Sequence, residues 1–168
     1  MSIRDIAQQV ASAQASGGGN YIKHGRGVMV VKEALYKEDL DSGRGFIVEL
    51  LVDTVEPYIG SDGKPLPCNP PGSTVSFVQL FDKFKKTSMG NTKAFIEALS
   101  GESLEGEKFV ERFEKLVSEK NPGRGLKIGF STYEKMTKSG GKLLILPKWE
   151  HVEQTPEDVK ATRERLKL

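Results

Sequence analysis

Two stretches of the chain set lysines beside aromatic rings. Residues 73–93 carry Lys83, Lys85, Lys86 and Lys93 against Asp82 alone, with Phe77, Phe81 and Phe84 around them. Residues 123–152 carry six basic and two acidic groups, a net +4, together with Tyr133 and Trp149. The chemistry this combination serves is the holding of a single-stranded nucleic acid. Ammonium groups neutralise phosphates, and ring faces stack unpaired bases at about 1–3 kcal/mol each. The residues selected on this reading are Tyr36, Arg44, Phe77, Phe81, Lys83, Lys85, Lys86, Lys127, Tyr133, Lys135, Lys142, Lys148 and Trp149.

Each ring has a plainer reading as core. Phe46 and Phe130 head apolar alternations and are read as buried. Phe77 and Phe81 share a face with Val75, which speaks for core, while the neighbouring lysines speak for stacking. Trp149, between Lys148 and Glu150, is open in the same way. Tyr133 falls on the odd-numbered face with Lys127 and Lys135, opposite Leu126, Ile128 and Phe130, and is the strongest stacking candidate. The lysines themselves have a bland alternative, a solvated face.

Other chemistry is thin. Glu49 and Asp53, four apart on a strand, share a face on which Mg²⁺ would find two carboxylates, but solvated strand carboxylates are far commoner. His24 and His151 have no fixed spacing to a nucleophile, and Cys68, between Pro67 and Asn69, has no activating neighbour in sequence. Gly25-Arg26-Gly27 and Gly123-Arg124-Gly125 lack the lysine and hydroxyl of a phosphate-binding loop and read as strand-entry turns. The expectation is a protein without catalysis, metal or cofactor.

Composition narrows the classes further. Among 168 residues, 25 basic and 23 acidic side chains leave +2, which excludes a histone-like polycation but not a local basic patch. One cysteine excludes an internal disulfide framework, and with two histidines it excludes a Cys/His zinc site. Uninterrupted apolar runs reach four residues (Val28 to Val31, Leu143 to Leu146), against the roughly 20 that span a bilayer. Met1 to Ser16 lacks a hydrophobic signal core, so a cytoplasmic location is expected.

The elements that must position these residues follow from periodicity. Met1 to Ala15 suits a short helix that Gly17-Gly18-Gly19 breaks, so residues 1–26 read as a loosely attached arm. Gly27 to Lys37, Gly45 to Val55 and Ser73 to Phe81 read as strands, with Phe46, Val48, Leu50 and Val52 on one pleat face. Pro57 to Gly72, with five prolines and three glycines, reads as a long loop. Asn91 or Thr92 is expected to cap a short helix ended by Gly101, and Glu107 to about Glu119 is a clear amphipathic helix stopped by Asn121-Pro122-Gly123. Leu126 to Ser131 alternates as a fourth strand, and Lys138-Ser139-Gly140-Gly141 turns into a fifth, Lys142 to Val152. Thr155-Pro156-Glu157 opens a polar terminal helix over residues 153–168.

Three strands, a helical segment and two strands are the element order of the OB-fold, a five-stranded Greek-key barrel. A family resemblance appears on the same residues. Gly45-Phe46-Ile47-Val48-Glu49 after a glycine turn, the strand end from Phe77 to Phe84, Thr92 to Leu99 with its closing Gly101, and Gly141-Lys142-Leu143 followed by Trp149-Glu150-His151-Val152 carry it. Over Tyr21 to Val152 the chain resembles the small phage and prophage proteins of the OB-like single-stranded-DNA-binding family. The resemblance does not extend to the acidic C-terminal tail of bacterial single-strand binders, so no recruitment through such a tail is expected.

The resulting expectation is a mostly β protein with helices, an OB-like five-stranded barrel over residues 27–152 with a helical insertion between strands three and four. Its function would be non-specific binding of single-stranded DNA in phage or prophage replication or recombination. Replication or recombination proteins and a second copy of the chain are further expected partners. The rivals are a protein-interaction or virion-assembly module and, last, a metal-dependent nuclease built on Glu49 and Asp53.

Overall fold

The computed structural model describes residues 21–40, 43–138 and 140–168, together with Ile3. The helix expected over residues 1–15 lies, Ile3 apart, outside the described residues. The elements are β1 (Arg26–Leu40), β2 (Gly43–Glu56), β3 (Thr74–Leu80), α1 (Lys85–Ser100), α2 (Glu107–Leu116), β4 (Lys127–Met136), β5 (Leu143–His151) and α3 (Pro156–Leu166). Among the described residues the strands form one antiparallel sheet in the order β3-β2-β1-β4-β5. No helix among them is long and apolar enough to cross a membrane.

Alternation decides which face of the sheet is core. Phe46, Val48, Leu50 and Val52 are all fully buried, opposite Met29, Val31 and Ala34 of β1 and Val75 and Phe77 of β3. Three register shifts bend β1, which lets its first residues, Arg26 to Val30, pair with β4 while its whole length follows β2.

The five strands do not close into the expected barrel. Among the described residues β3 and β5 share no backbone pairing, so they are the two edges of an open sheet. Their side chains nevertheless meet. Trp149 of β5 stands edge-on to Phe77 of β3, with centroids 5.2 Å apart, and to Phe95 of α1 at 5.1 Å. Phe95 also stacks on Phe77 at 5.4 Å, so a helix fills the gap that strand pairing would have closed.

That helix starts earlier than the sequence predicts. Neither Asn91 nor Thr92 caps it: α1 begins at Lys85, with Phe84 in the cap position and no side-chain cap. Thr92 is buried inside the helix, where its hydroxyl donates to the Ser88 carbonyl. Gly90 weakens this first half by about 1 kcal/mol relative to alanine, but Ser88, Thr92, Phe95, Ile96 and Leu99 form one buried stripe that outweighs it. Gly101 ends α1 at φ 77°, and a Cβ there would strike the His151 ring. α2 ends at Leu116, short of Glu119, and lays Phe113 on Phe46 at 5.7 Å.

Beyond Val30, β1 has no β4 to pair with, and residues 118–126 take its place. Val31 exchanges backbone bonds with Leu126 and Gly125. Asn121, buried and at φ 44°, accepts from the Ala34 amide at 2.6 Å and donates to the Ala34 carbonyl at 2.9 Å. Arg124 Nε donates to the Lys32 carbonyl. The segment read from sequence as a helix stop and strand-entry turn therefore substitutes for a strand.

α3 opens with a capping box, Thr155 and Asp158 each bonding the other's backbone N–H, with Pro156 at the first helical position. It is fastened to the sheet face opposite the core: Arg165 donates twice to Asp53, at 3.0 and 3.2 Å, and Arg163 Nε donates to the Arg124 carbonyl.

Candidate nucleic-acid interface

Past Ser131, β4 pairs among the described strands with β5 alone. The pairing runs on from Thr132↔Pro147 to Met136↔Leu143, so the two strands continue as a ribbon beyond the sheet. Alternation puts Tyr133, Lys135 and Ser131 on one pleat face, with Leu146, Leu144 and Lys148 as their cross-strand partners. Tyr133 is 49% exposed, on the face opposite buried Ile128 and Phe130. Lys135, Lys142 and Lys148 are exposed, and the ribbon tip adds exposed Met136 and Leu143.

The foot of the ribbon is held by two segments, that of His24 and Gly25 and the loop that carries Tyr58. The Thr132 amide donates to the Gly25 carbonyl and to the Tyr58 hydroxyl, and Thr132 Oγ1 accepts from the Gly25 amide at 3.0 Å. His24 Nε2 lies 3.2 Å from a Glu134 carboxylate oxygen. Tyr58 belongs to the loop over residues 57–72, which is itself pinned. Ile59 bridges Pro65, and the Asn69 side chain accepts from the Lys23 amide and donates to the Tyr21 carbonyl. A cleft of about 680 Å³ lies beside this foot, lined among others by Arg26, Thr54, Tyr58, Phe130, Ser131 and Glu150.

Several candidate residues turn out to hold the fold together. Phe77 and Phe81 are only 5% and 7% exposed, so the pleat face they share with Val75 is core and they offer no ring to a base. Tyr36 is half-buried edge-on against Phe113 at 5.9 Å, and Trp149 is half-buried between Phe77 and Phe95. Arg44 is engaged by Asp82: its backbone N–H and its guanidinium both donate to that carboxylate, the shortest side-chain contact being 2.7 Å. Lys127 is half-buried, its Nζ 3.9 Å from Asp53. Asp53 is thus already bound by cations, and Glu49 stands across the strands from Glu33 and Ser76.

Lys83, Lys85 and Lys86 are exposed where β3 runs into α1, and among the described residues none of them is in an ion pair. The exposed ring in this cluster is Phe84, at 58%, with Lys83 Nζ 5.5 Å from its centroid. Sequence reasoning placed Phe84 among the lysines without selecting it. The available signal was its position, off the odd-numbered alternation of Phe77 and Phe81 and flanked by lysines on both sides.

The structure does not bring the two clusters together. Phe84 follows Leu80, which pairs with Gly45 at the start of β2, whereas Tyr133 lies beyond Ser131, which pairs through Arg26 with Glu56 at its end. From the Phe77–Trp149 contact, β3 leads to Phe84 and β4 leads to Tyr133 in opposite directions.

The Arg44–Asp82 pair gives a pH prediction. The Arg44 guanidinium and backbone N–H hold the Asp82 carboxyl down at about 2 instead of 3.8. Because the folded value is depressed, the stabilisation is complete above about pH 4 and is lost as pH falls through about 2. The thermal midpoint of the parent should therefore fall more steeply between about pH 4 and pH 2 than that of an Asp82→Asn variant. Parallel curves would mean that solvent screens the pair completely. Gly43, at φ 92°, leaves no room for a Cβ against Asp82, so a glycine precedes Arg44 at the start of β2.

In comparison with known proteins, no protein-family model matches the chain and no curated protein matches it.

Proposed function

We propose that this is a non-enzymatic OB-like protein that binds single-stranded DNA without sequence preference. The observation that carries the proposal is the projecting β4–β5 ribbon, which holds the exposed Tyr133 ring on one face with Lys135 and Lys148. A single strand has unpaired bases to stack and phosphates to neutralise, and this face offers a partner for each. The sheet is consistent with an OB-fold, a partly open five-stranded Greek-key barrel in which the connection between the fourth and fifth strands contributes to oligonucleotide binding. Bacterial cytoplasm, phage or prophage replication or recombination, and partners from those processes are the setting that the family resemblance implies.

Titration of the protein with oligo-dT at two salt concentrations tests this. Affinity should fall with salt at a logarithmic slope of about −0.7 per phosphate neutralised. A duplex of equal length should bind more weakly, because its stacked bases cannot reach Tyr133. Equal affinity for both, or no salt dependence, would turn the ribbon's apolar tip, Met136 and Leu143, into the better clue and favour a protein-interaction module.

A further inference from the structure

The geometry points to a two-anchor grip: one single strand held at the ribbon by Tyr133 and at the far end of the sheet by Phe84 with Lys83, Lys85 and Lys86. This rests on the single-strand reading above and adds a second site and a length requirement to it. Phe84 is the more exposed of the two rings, and a cation already sits against it. The one carboxylate next to it in sequence, Asp82, forms its ion pair with Arg44, and among the described residues no lysine of the cluster is in an ion pair. The cluster thus repeats, on a different element, the combination found on the ribbon.

The register sets the two anchors apart. About three residues of β3 and the turn after it lead one way from Phe77, and about three residues of β4 lead the other way from Phe130. At about 3.3 Å per strand residue the separation is on the order of 25 Å. On the sheet face away from the core Glu33 and Glu49 stand directly opposite each other and repel phosphate there, while Arg165 and Lys127 on that face are engaged by Asp53. Strong contacts are therefore concentrated at the two ends. A strand too short to reach both anchors binds at one, and a longer strand makes the second contact intramolecularly, at high effective concentration.

The test is affinity against length, with oligo-dT of about 4, 8, 12 and 16 residues, the range of single-strand site sizes on such folds. The parent protein should show a step of about tenfold or more between two successive lengths. A Phe84→Ala, Lys85→Ala, Lys86→Ala variant, altered only at exposed positions, should keep the parent's thermal midpoint and lose the step. Its affinity for the shortest oligomer should fall by no more than about twofold, the statistical loss of one of two similar sites. Tyr133→Ala should lose the step as well. A step that survives in the triple variant, or a parent profile without one, overturns the two-anchor grip while leaving the ribbon as the site. Failure of the parent to bind any length removes the single-strand reading itself.

Discussion

Asn121→Ala should destabilise the protein by about 3–8 kcal/mol, a large effect for a single polar side chain. Asn121 supplies both partners of a buried backbone unit, accepting from the Ala34 amide and donating to the Ala34 carbonyl, and it also donates to the Ser118 carbonyl. A buried polar group left without a partner costs about 1–3 kcal/mol, and alanine orphans two at once. Against a typical total of about 5–15 kcal/mol the loss is severe. Backbone strain adds to it, because Asn121 sits at φ 44°, where a Cβ without a local polar partner is disfavoured by about 1–2 kcal/mol. Asn121→Gly separates the two contributions, since it relieves the strain and still removes the bonds. Urea unfolding should place the midpoints in the order parent, glycine variant, alanine variant, with unchanged slopes. A midpoint shift worth less than about 1 kcal/mol in both would show that solvent reaches Ala34 in place of the side chain.

Tyr133→Ala should act in the opposite sense, leaving stability nearly unchanged while weakening single-strand binding by about 1–3 kcal/mol, or roughly 5- to 150-fold. The ring is half exposed on the ribbon, away from the buried Ile128 and Phe130 side chains, so removing it opens no cavity. Stacking releases no counterions, so the salt slope should stay where it was. Lys135→Ala with Lys148→Ala should do the reverse and flatten the slope, since fewer phosphates would be neutralised. Loss of folding in Tyr133→Ala, with binding by the folded fraction intact, would instead assign the ring to packing.

Much of the sheet was legible in the sequence because period-two alternation is a local property. Phe46 to Val52 and Ile128 to Phe130 declare their buried face by themselves. Alternation does not say whether lysines at a strand's end extend its exposed face or merely follow a buried one. Phe77 and Phe81 therefore looked available to a base although their face is core. The start of α1 was hidden for a related reason: Thr87, Ser88, Gly90 and Asn91 are weak helix formers in isolation, and packing of the helix against β3 and β5 makes them helical. Asn121 left no local trace at all, since the backbone it completes lies 87 residues away. The ribbon's sequence was visible, but its projection depends on where β1 stops pairing with β4, which only the assembled register determines.

The bond between Arg165 and Asp53 joins positions 112 residues apart, and this orders events during synthesis. The meander of β1, β2 and β3 is translated early and its pairings are local. At about 5–20 residues per second, roughly 5–20 s pass between the emergence of β2 from the peptidyl-transferase centre and that of α3. During that interval the Asp53 carboxylate has no Arg165, and the Lys32 and Ala34 carbonyls wait for residues 118–126. The nascent chain should thus expose a protease-sensitive, partly unpaired sheet until its last helix docks, and ribosome-bound chains stopped before residue 165 should be cleaved in β1 or β2 where released ones are not.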